Sequence, residues 1–179
     1  MIKMYIVLGR FQPFHNGHAH LVDAALKLGE VTIAIGSSQE SWTPDNPWSG
    51  EEREAMIRHW LGEREVRIVC IEDINDPPNW VEHATKFHGE GVLFTSDEST
   101  KKLYEESGWD VEWCDLEQRD SFEGWRVRST LKMISTVSQQ DAQKSVMQAV
   151  LPDEIANWLI ENDALYRFYE ISKDLSHVG

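Results

Sequence analysis

Short apolar runs alternate with amphipathic stretches along the first 114 residues, and this alternation constrains the fold more than any other feature of the chain. The runs at 4–8, 31–36, 66–72, 91–95 and 110–114 read as strands, and the stretches at 16–28, 50–61, 79–87 and 99–106 as helices. A helix between successive strands returns the chain to the same end of the sheet, so the strands run parallel. The expected fold class is therefore α/β, a Rossmann-like open parallel sheet with helices on both faces. Local signals agree. Asn16 stands where it caps the first helix, "SGEE" (Ser49 to Glu52) is a capping box for the second, and Gly108 follows the fourth at a C-cap position. After Gln118 no further strand is expected: "GWRVRSTLKMI" starts a helix, "SQQDAQKS" continues it, and "LPDEIANWLIEN" closes the chain as a helix with Pro152 in its first turn. No repeat, low-complexity tract or Gly/Ser linker divides the sequence, so residues 1–179 are expected to form a single domain with a small, mostly helical C-terminal part over 118–179.

Composition narrows the function. A formal net charge of −14 over 179 residues argues against a nucleic-acid footprint or an anionic membrane surface, both of which need a basic face. No apolar stretch approaches the roughly 20 residues of a membrane span, and "MIKMYIVLGR" turns polar too quickly for a signal peptide, which places the protein in the cytoplasm. Cys70 and Cys114 lie in or at the end of strand-like runs and are expected to be reduced, buried thiols.

In an open parallel sheet, ligands sit beyond the carboxyl ends of the strands, where strand order reverses. "GRFQPFHNGH" (residues 9–18) follows the first strand directly and belongs at that end. Gly9 lets backbone approach a ligand, Arg10 adds a cation and Pro13 stiffens the loop. Asn16 and Gly17 open a helix whose unpaired N–H groups attract phosphate, and His15 and His18, three apart, can face one spot at its mouth. A pair of zinc ligands is the rival reading. The helical zinc pair of metalloproteases is spaced i, i+4 around a glutamate, however, and no third ligand stands out here.

The stretch resembles the H-x-G-H signature of the nucleotidylyltransferase superfamily, matched by His15, Gly17 and His18. In its "GRFQPFHxGH" form it is similar to the archaeal-type nicotinamide mononucleotide adenylyltransferases. Further matches are "GSSQ" (Gly36, Ser37 and Gln39 among them), "NPWSGEER", "EDI", "NW" and "RDSFEGWRVR". Class I aminoacyl-tRNA synthetases carry a related histidine motif, but this acidic chain has no room for a tRNA-binding body. The family's second signature, roughly R-x-x-[YF]-S-G-T-x-[IV]-R, is matched by Arg119, Phe122, Gly124, Val127 and Arg128, while Glu123 and Trp125 replace its serine and threonine. A glutamate there repels phosphate unless it points away, and Arg126, Ser129 and Thr130 are candidates to restore the lost contacts. Asp45 stands where relatives often carry a base.

The resemblance implies transfer of the adenylyl group of ATP to nicotinamide mononucleotide, releasing NAD and pyrophosphate by direct attack without a covalent intermediate. It implies that His15, His18 and Arg128 are catalytic. ATP would be held by them with Gly9, Arg10, Phe11, Gly17, Arg119, Phe122, Gly124 and Val127, and would carry Mg2+. Gly36, Ser37, Gln39, Asp73, Asn79 and Trp80 would receive the mononucleotide. A cationic pyridinium suits an indole face and a carboxylate such as Asp73 or Asp76. Relatives form homo-oligomers, so a homo-oligomer is expected. Two other readings are a transferase of the pantetheine-phosphate or cytidylyl type with the same phosphate site, and an inactive adenine-nucleotide sensor. The acceptor pocket discriminates the first, and pyrophosphate release the second.

Overall fold

The structure, a computed structural model, describes residues 1–117 and 119–175; Gln118, where the sequence reading starts the helical part, lies outside the described residues. The chain groups into two compact units, one of residues 1–10, 17–39 and 63–117 and one of residues 11–16, 40–62 and 118–179.

The first unit holds the sheet. Its strands are β1 (Met4–Gly9), β2 (Glu30–Ile35), β3 (Arg67–Cys70), β4 (Val92–Thr95) and β5 (Val111–Trp113), all parallel in the order β3-β2-β1-β4-β5. Strand order therefore reverses between β1 and β4, which makes their carboxyl ends the switch point. Pairing runs from Met4 opposite Glu30 to Gly9 opposite Ile35, and from Tyr5 opposite Val92 to Ile6 opposite Leu93. Glycine sets the close approach of the strand starts: a Cβ on Gly29 or Gly91 would stand 2.4 Å from the carbonyl of Lys3 or 2.6 Å from that of Met4.

The unit's helices are α1 (Asn16–Leu26), whose first residue belongs to the second unit, α3 (Pro77–His88) and α4 (Glu98–Glu106). One core cluster joins Ile6, Ala34 and Ile71 to Ala84 of α3, and another joins Leu93 to Val81 and Tyr104. His88 is a satisfied core histidine. The Gly89 carbonyl 2.7 Å from Nδ1 can only accept, so Nδ1 carries the proton and Nε2 accepts from the Tyr104 hydroxyl at 2.9 Å. Burial lowers the His88 pKa accordingly.

The second unit is helical: α2 (Gly50–Leu61), a 3-10 turn (Arg119–Phe122), α5 (Gly124–Ile134), α6 (Gln140–Met147), α7 (Asp153–Glu161) and α8 (Arg167–Leu175). The expected capping box is present, with Ser49 Oγ accepting from the Glu52 amide and Glu52 Oε1 from the Ser49 amide, each at 3.1 Å. Fully buried Trp48 anchors the preceding loop by donating from Nε1 to the Ala164 carbonyl at 3.0 Å. Arg167 anchors it again. Its guanidinium lies 3.8 Å over the Trp42 ring, donates to the Pro47 carbonyl at 2.8 Å and grips Glu52 through two bonds of 3.0 and 2.7 Å. That cation contributes to holding the Glu52 carboxyl below the usual carboxylate range, against the opposing effect of its burial.

Four expectations change. The third helix starts at Pro77, two residues early, because its paired prolines suit a first turn that has no use for their missing N–H. The helix expected to continue through "SQQDAQKS" breaks after Ile134, whose carbonyl accepts from the Gln143 side chain at 3.0 Å, and resumes as α6. Pro152 caps α7 instead of lying in its first turn, and α7 does not close the chain, since α8 follows. Cys70 and Cys114 form no disulfide but are half-buried, at or just beyond the ends of β3 and β5, the two edges of the sheet. Four strand spacings put those edges about 19 Å apart, well outside disulfide reach.

Candidate active site

Loop 11–16 and the start of α5 build one cluster in the second unit. Phe11, Gln12, Phe14 and His15 are all buried, and Phe11 adopts φ +54°, a left-handed conformation that a bulky residue takes only where its surroundings impose it. The adjacent Gln12 is tied down at three atoms. Its side-chain amide donates to the Trp48 carbonyl at 2.8 Å and accepts from the Trp48 amide at 3.1 Å, while its own carbonyl accepts from Arg128 Nη1 at 3.2 Å. Arg128 is itself only 9% exposed. A Cβ on Gly124 would stand 2.9 Å from Arg128 Nη1, so the glycine of the second signature leaves room for that guanidinium.

His15, 4% exposed, lies nearly parallel to the Phe122 ring with centroids 6.0 Å apart. Desolvation, with the Arg128 charge added, pulls its pKa down to about 4. At neutral pH the imidazole is uncharged and offers one N–H beside a fixed cation. The cluster thus collects His15, Phe122, Gly124, Val127 and Arg128, with Val127 fully buried beneath it.

The replaced signature residues satisfy each other. Glu123 Oε2 accepts from Trp125 Nε1 at 2.5 Å and lies 3.5 Å from Arg126 Nε, and Arg126 covers the Trp125 ring at 4.6 Å. The carboxylate is neutralised locally. Arg126 is engaged by it, and Ser129 and Thr130 donate back to the Trp125 and Arg126 carbonyls at 2.8 and 3.1 Å. Asp45 lies 4.0 Å from Arg128 Nη2.

In the first unit, residues after β1, β2 and β3 gather at the carboxyl end of the sheet. Gly9 and Gly36 pair through an amide-to-carbonyl bond of 2.9 Å, with exposed Arg10 next along the chain. Ser37, at φ +46°, donates to Asp73 Oδ2 at 2.6 Å, and the Asp73 amide donates to Gln39 Oε1 at 3.0 Å. Asn79 bonds Asp76 at 2.7 Å, and Trp80, half-buried, packs against the core and sits edge-on to Tyr104 at 6.3 Å. Gly17 and half-buried His18 open α1 in this unit, and Arg119 opens the 3-10 turn of the other. Sequence reading gave no role to Gln12 or Arg53, though both stand in the matched motifs, and missed Arg167; fully buried Arg53 donates from Nε and Nη2 to the Ser49 and Glu40 carbonyls at 3.1 and 3.3 Å. A polar residue between two phenylalanines was the one available signal for Gln12.

Residues 6–175 match the cytidylyltransferase-like family model. The chain belongs to the cytidylyltransferase-like family. Within it, the curated nicotinamide-nucleotide adenylyltransferase of Methanolobus tindarius is 32% identical over 170 residues, covering 93% of this chain and 92% of its own length. That of Picrophilus torridus is also 32% identical, over 93% and 96%. The resemblance drawn from "GRFQPFHNGH" is thereby borne out. A bifunctional NMN adenylyltransferase/ADP ribose pyrophosphatase from Francisella tularensis superposes with a TM-score of 0.68 at 21% identity, over 93% of this chain. The chain spans about half the length of that structure (52%), and the likeness confirms the Rossmann-like fold. A second structure of the Francisella protein is complexed with AMP and Mn ion. Among the described residues no helix is long and apolar enough to cross a membrane, and no three His, Cys, Asp or Glu converge as metal ligands.

Proposed function

We propose that this chain transfers the adenylyl group of ATP to nicotinamide mononucleotide, giving NAD and pyrophosphate. The observation that carries this reading is the burial of His15 of the H-x-G-H loop and of Arg128 of α5, which donates to the Gln12 carbonyl of that loop, in a chain matched nearly end to end by nicotinamide-nucleotide adenylyltransferases. The nucleophile is a phosphate monoester with a second pKa near 6, largely dianionic at neutral pH, so no general base is required. Catalysis then consists of holding two anions in line and stabilising charge on the α-phosphoryl group and the departing pyrophosphate.

His18 donates to the α-phosphate in the transition state and His15 to the triphosphate. Arg128 and Arg10 hold the β and γ phosphates. Backbone at Gly9, Phe11 and Gly17 packs on the nucleotide, and Arg119, Phe122, Gly124 and Val127 complete its site. Gly36, Ser37, Gln39, Asp73, Asn79 and Trp80 receive the mononucleotide, the carboxylate and indole suiting its positive ring. The substrate is MgATP, the divalent ion entering on the triphosphate.

Incubation with ATP, Mg2+ and nicotinamide mononucleotide, followed by chromatography, should yield NAD. The deamidated mononucleotide and pantetheine phosphate run in parallel identify the acceptor, and light scattering of the same preparation checks for a homo-oligomer. His18→Ala should lose ~10²–10³ in turnover with an unchanged circular dichroism spectrum. Near-normal turnover of that variant contradicts the role given to His18. Nucleotide binding without pyrophosphate release would make the protein a sensor.

A further inference from the structure

A cavity of about 210 Å³ in the second unit is lined by the exposed face of α5, by α8 and by the 44–45 loop. Its chemistry is one-sided. Ser129 and Ser172 donate to carbonyls of their own helices at 2.8 Å each, and the Trp125 N–H goes to Glu123. The cations on its wall are the guanidinium of Arg128, which also donates to the Gln12 carbonyl, and the ammonium of Lys132. These two are one helical turn apart, so they share a face of α5. Lys132 makes no ion pair among the described residues, whereas Arg128 turns Nη2 towards the carboxylate of Asp45 at 4.0 Å. That Asp45 side chain is 82% exposed. A pair open to water on one side is weak and exchangeable, and its carboxylate occupies the place at which an anion would meet Arg128.

We propose that Lys132 is a second cation for the pyrophosphate end of the nucleotide, and that the Asp45 carboxylate is a displaceable occupant of the same place. Together the two residues set how tightly pyrophosphate is held and how readily it leaves. The phosphate pushes Asp45 aside on binding, and Asp45 returns to Arg128 as the product departs. This deepens the adenylyltransferase reading and rests on it.

Lys132→Gln and Asp45→Asn are surface substitutions that leave the fold intact, which thermal unfolding verifies. Titration calorimetry with magnesium pyrophosphate should show Lys132→Gln weakening binding about tenfold, the loss of one charge-assisted contact. Asp45→Asn should tighten it about threefold, as expected for removal of an exposed competing charge. Both differences should shrink as salt rises from about 50 mM to about 0.5 M, where exposed charges are screened. Unchanged binding in both variants, or no pyrophosphate binding by the wild type, overturns the inference. NAD formation by the same preparations separates it from the reading beneath. Wild type that makes NAD while the variants bind normally sinks this inference alone. Wild type that makes no NAD while the variants shift as described sinks the adenylyltransferase reading and leaves the cavity's assignment standing.

Discussion

The His15–Arg128 cluster of the second unit and the Ser37–Asp73 network of the first hold their polar groups in opposite ways. Around His15 the groups are dry: His15, Gln12 and Arg128 are all buried, the Gln12 amide is held by the Trp48 backbone and the Arg128 guanidinium by the Gln12 carbonyl. Around Asp73 the groups stay wet, with Gln39 and Asn79 exposed and Ser37 and Asp73 half-buried. The difference matches the tasks assigned to them. Donors that stabilise charge formed during a reaction gain strength in a low dielectric and must not reorganise, whereas a subsite that orients a soluble acceptor works through bonds that exchange with water.

Three measurements test that contrast, the largest effect first. The His15 pKa falls from 6.5 to about 4 on folding, so between those values the unfolded chain binds the extra proton and stability is lost as pH drops. The wild type should lose up to about 3 kcal/mol from this group between pH 7 and pH 4, and His15→Asn should lack that loss. Urea unfolding of both proteins across the window isolates His15, because His88 and Glu52 contribute equally to each. Parallel profiles would mean that the cluster is not dry.

Next, Gly124→Ala puts a methyl 2.9 Å from Arg128 Nη1, pushing the guanidinium aside with little effect on the fold. About tenfold slower turnover at unchanged melting temperature is expected, the sensitivity of a preorganised site to small misplacement. Full activity would show that Arg128 tolerates movement. The smallest effect belongs to the wet network: Ser37→Ala removes a single bond to Asp73, and the KM for mononucleotide should rise about threefold with kcat unchanged. A fall in kcat instead would place Ser37 with the preorganised groups.

The first unit was legible because its order is local. Five short apolar runs and the helices between them carry their own period, and only boundaries such as Pro77 moved. The family resemblance was legible in residues 9–18 for a similar reason, since they are contiguous. The second unit resisted because its contacts are distant in sequence. Gln12 to Trp48, Trp48 to Ala164 and Arg167 to Pro47 span 36, 116 and 120 positions and leave no periodic trace. Glu123 was hard to read for a different reason, since its partners are near in sequence and only side-chain geometry pairs them. Alone it reads as a charge hostile to phosphate, and its meaning depends on Arg126 and Trp125 turning back onto it.

The grip of Arg167 and Ala164 on the 42–48 loop also orders events in time. A ribosome delivers Trp42, Pro47 and Trp48 more than a hundred residues before the partners that fix them. Gln12, held by Trp48, waits as well, and with it the seat of Arg128. The sheet of the first unit has all its strands once Trp113 has emerged, whereas the phosphate loop gains its last supports only with α8. A nascent chain interrupted between those points would carry the whole H-x-G-H motif without the last contacts that hold its supporting loop in place.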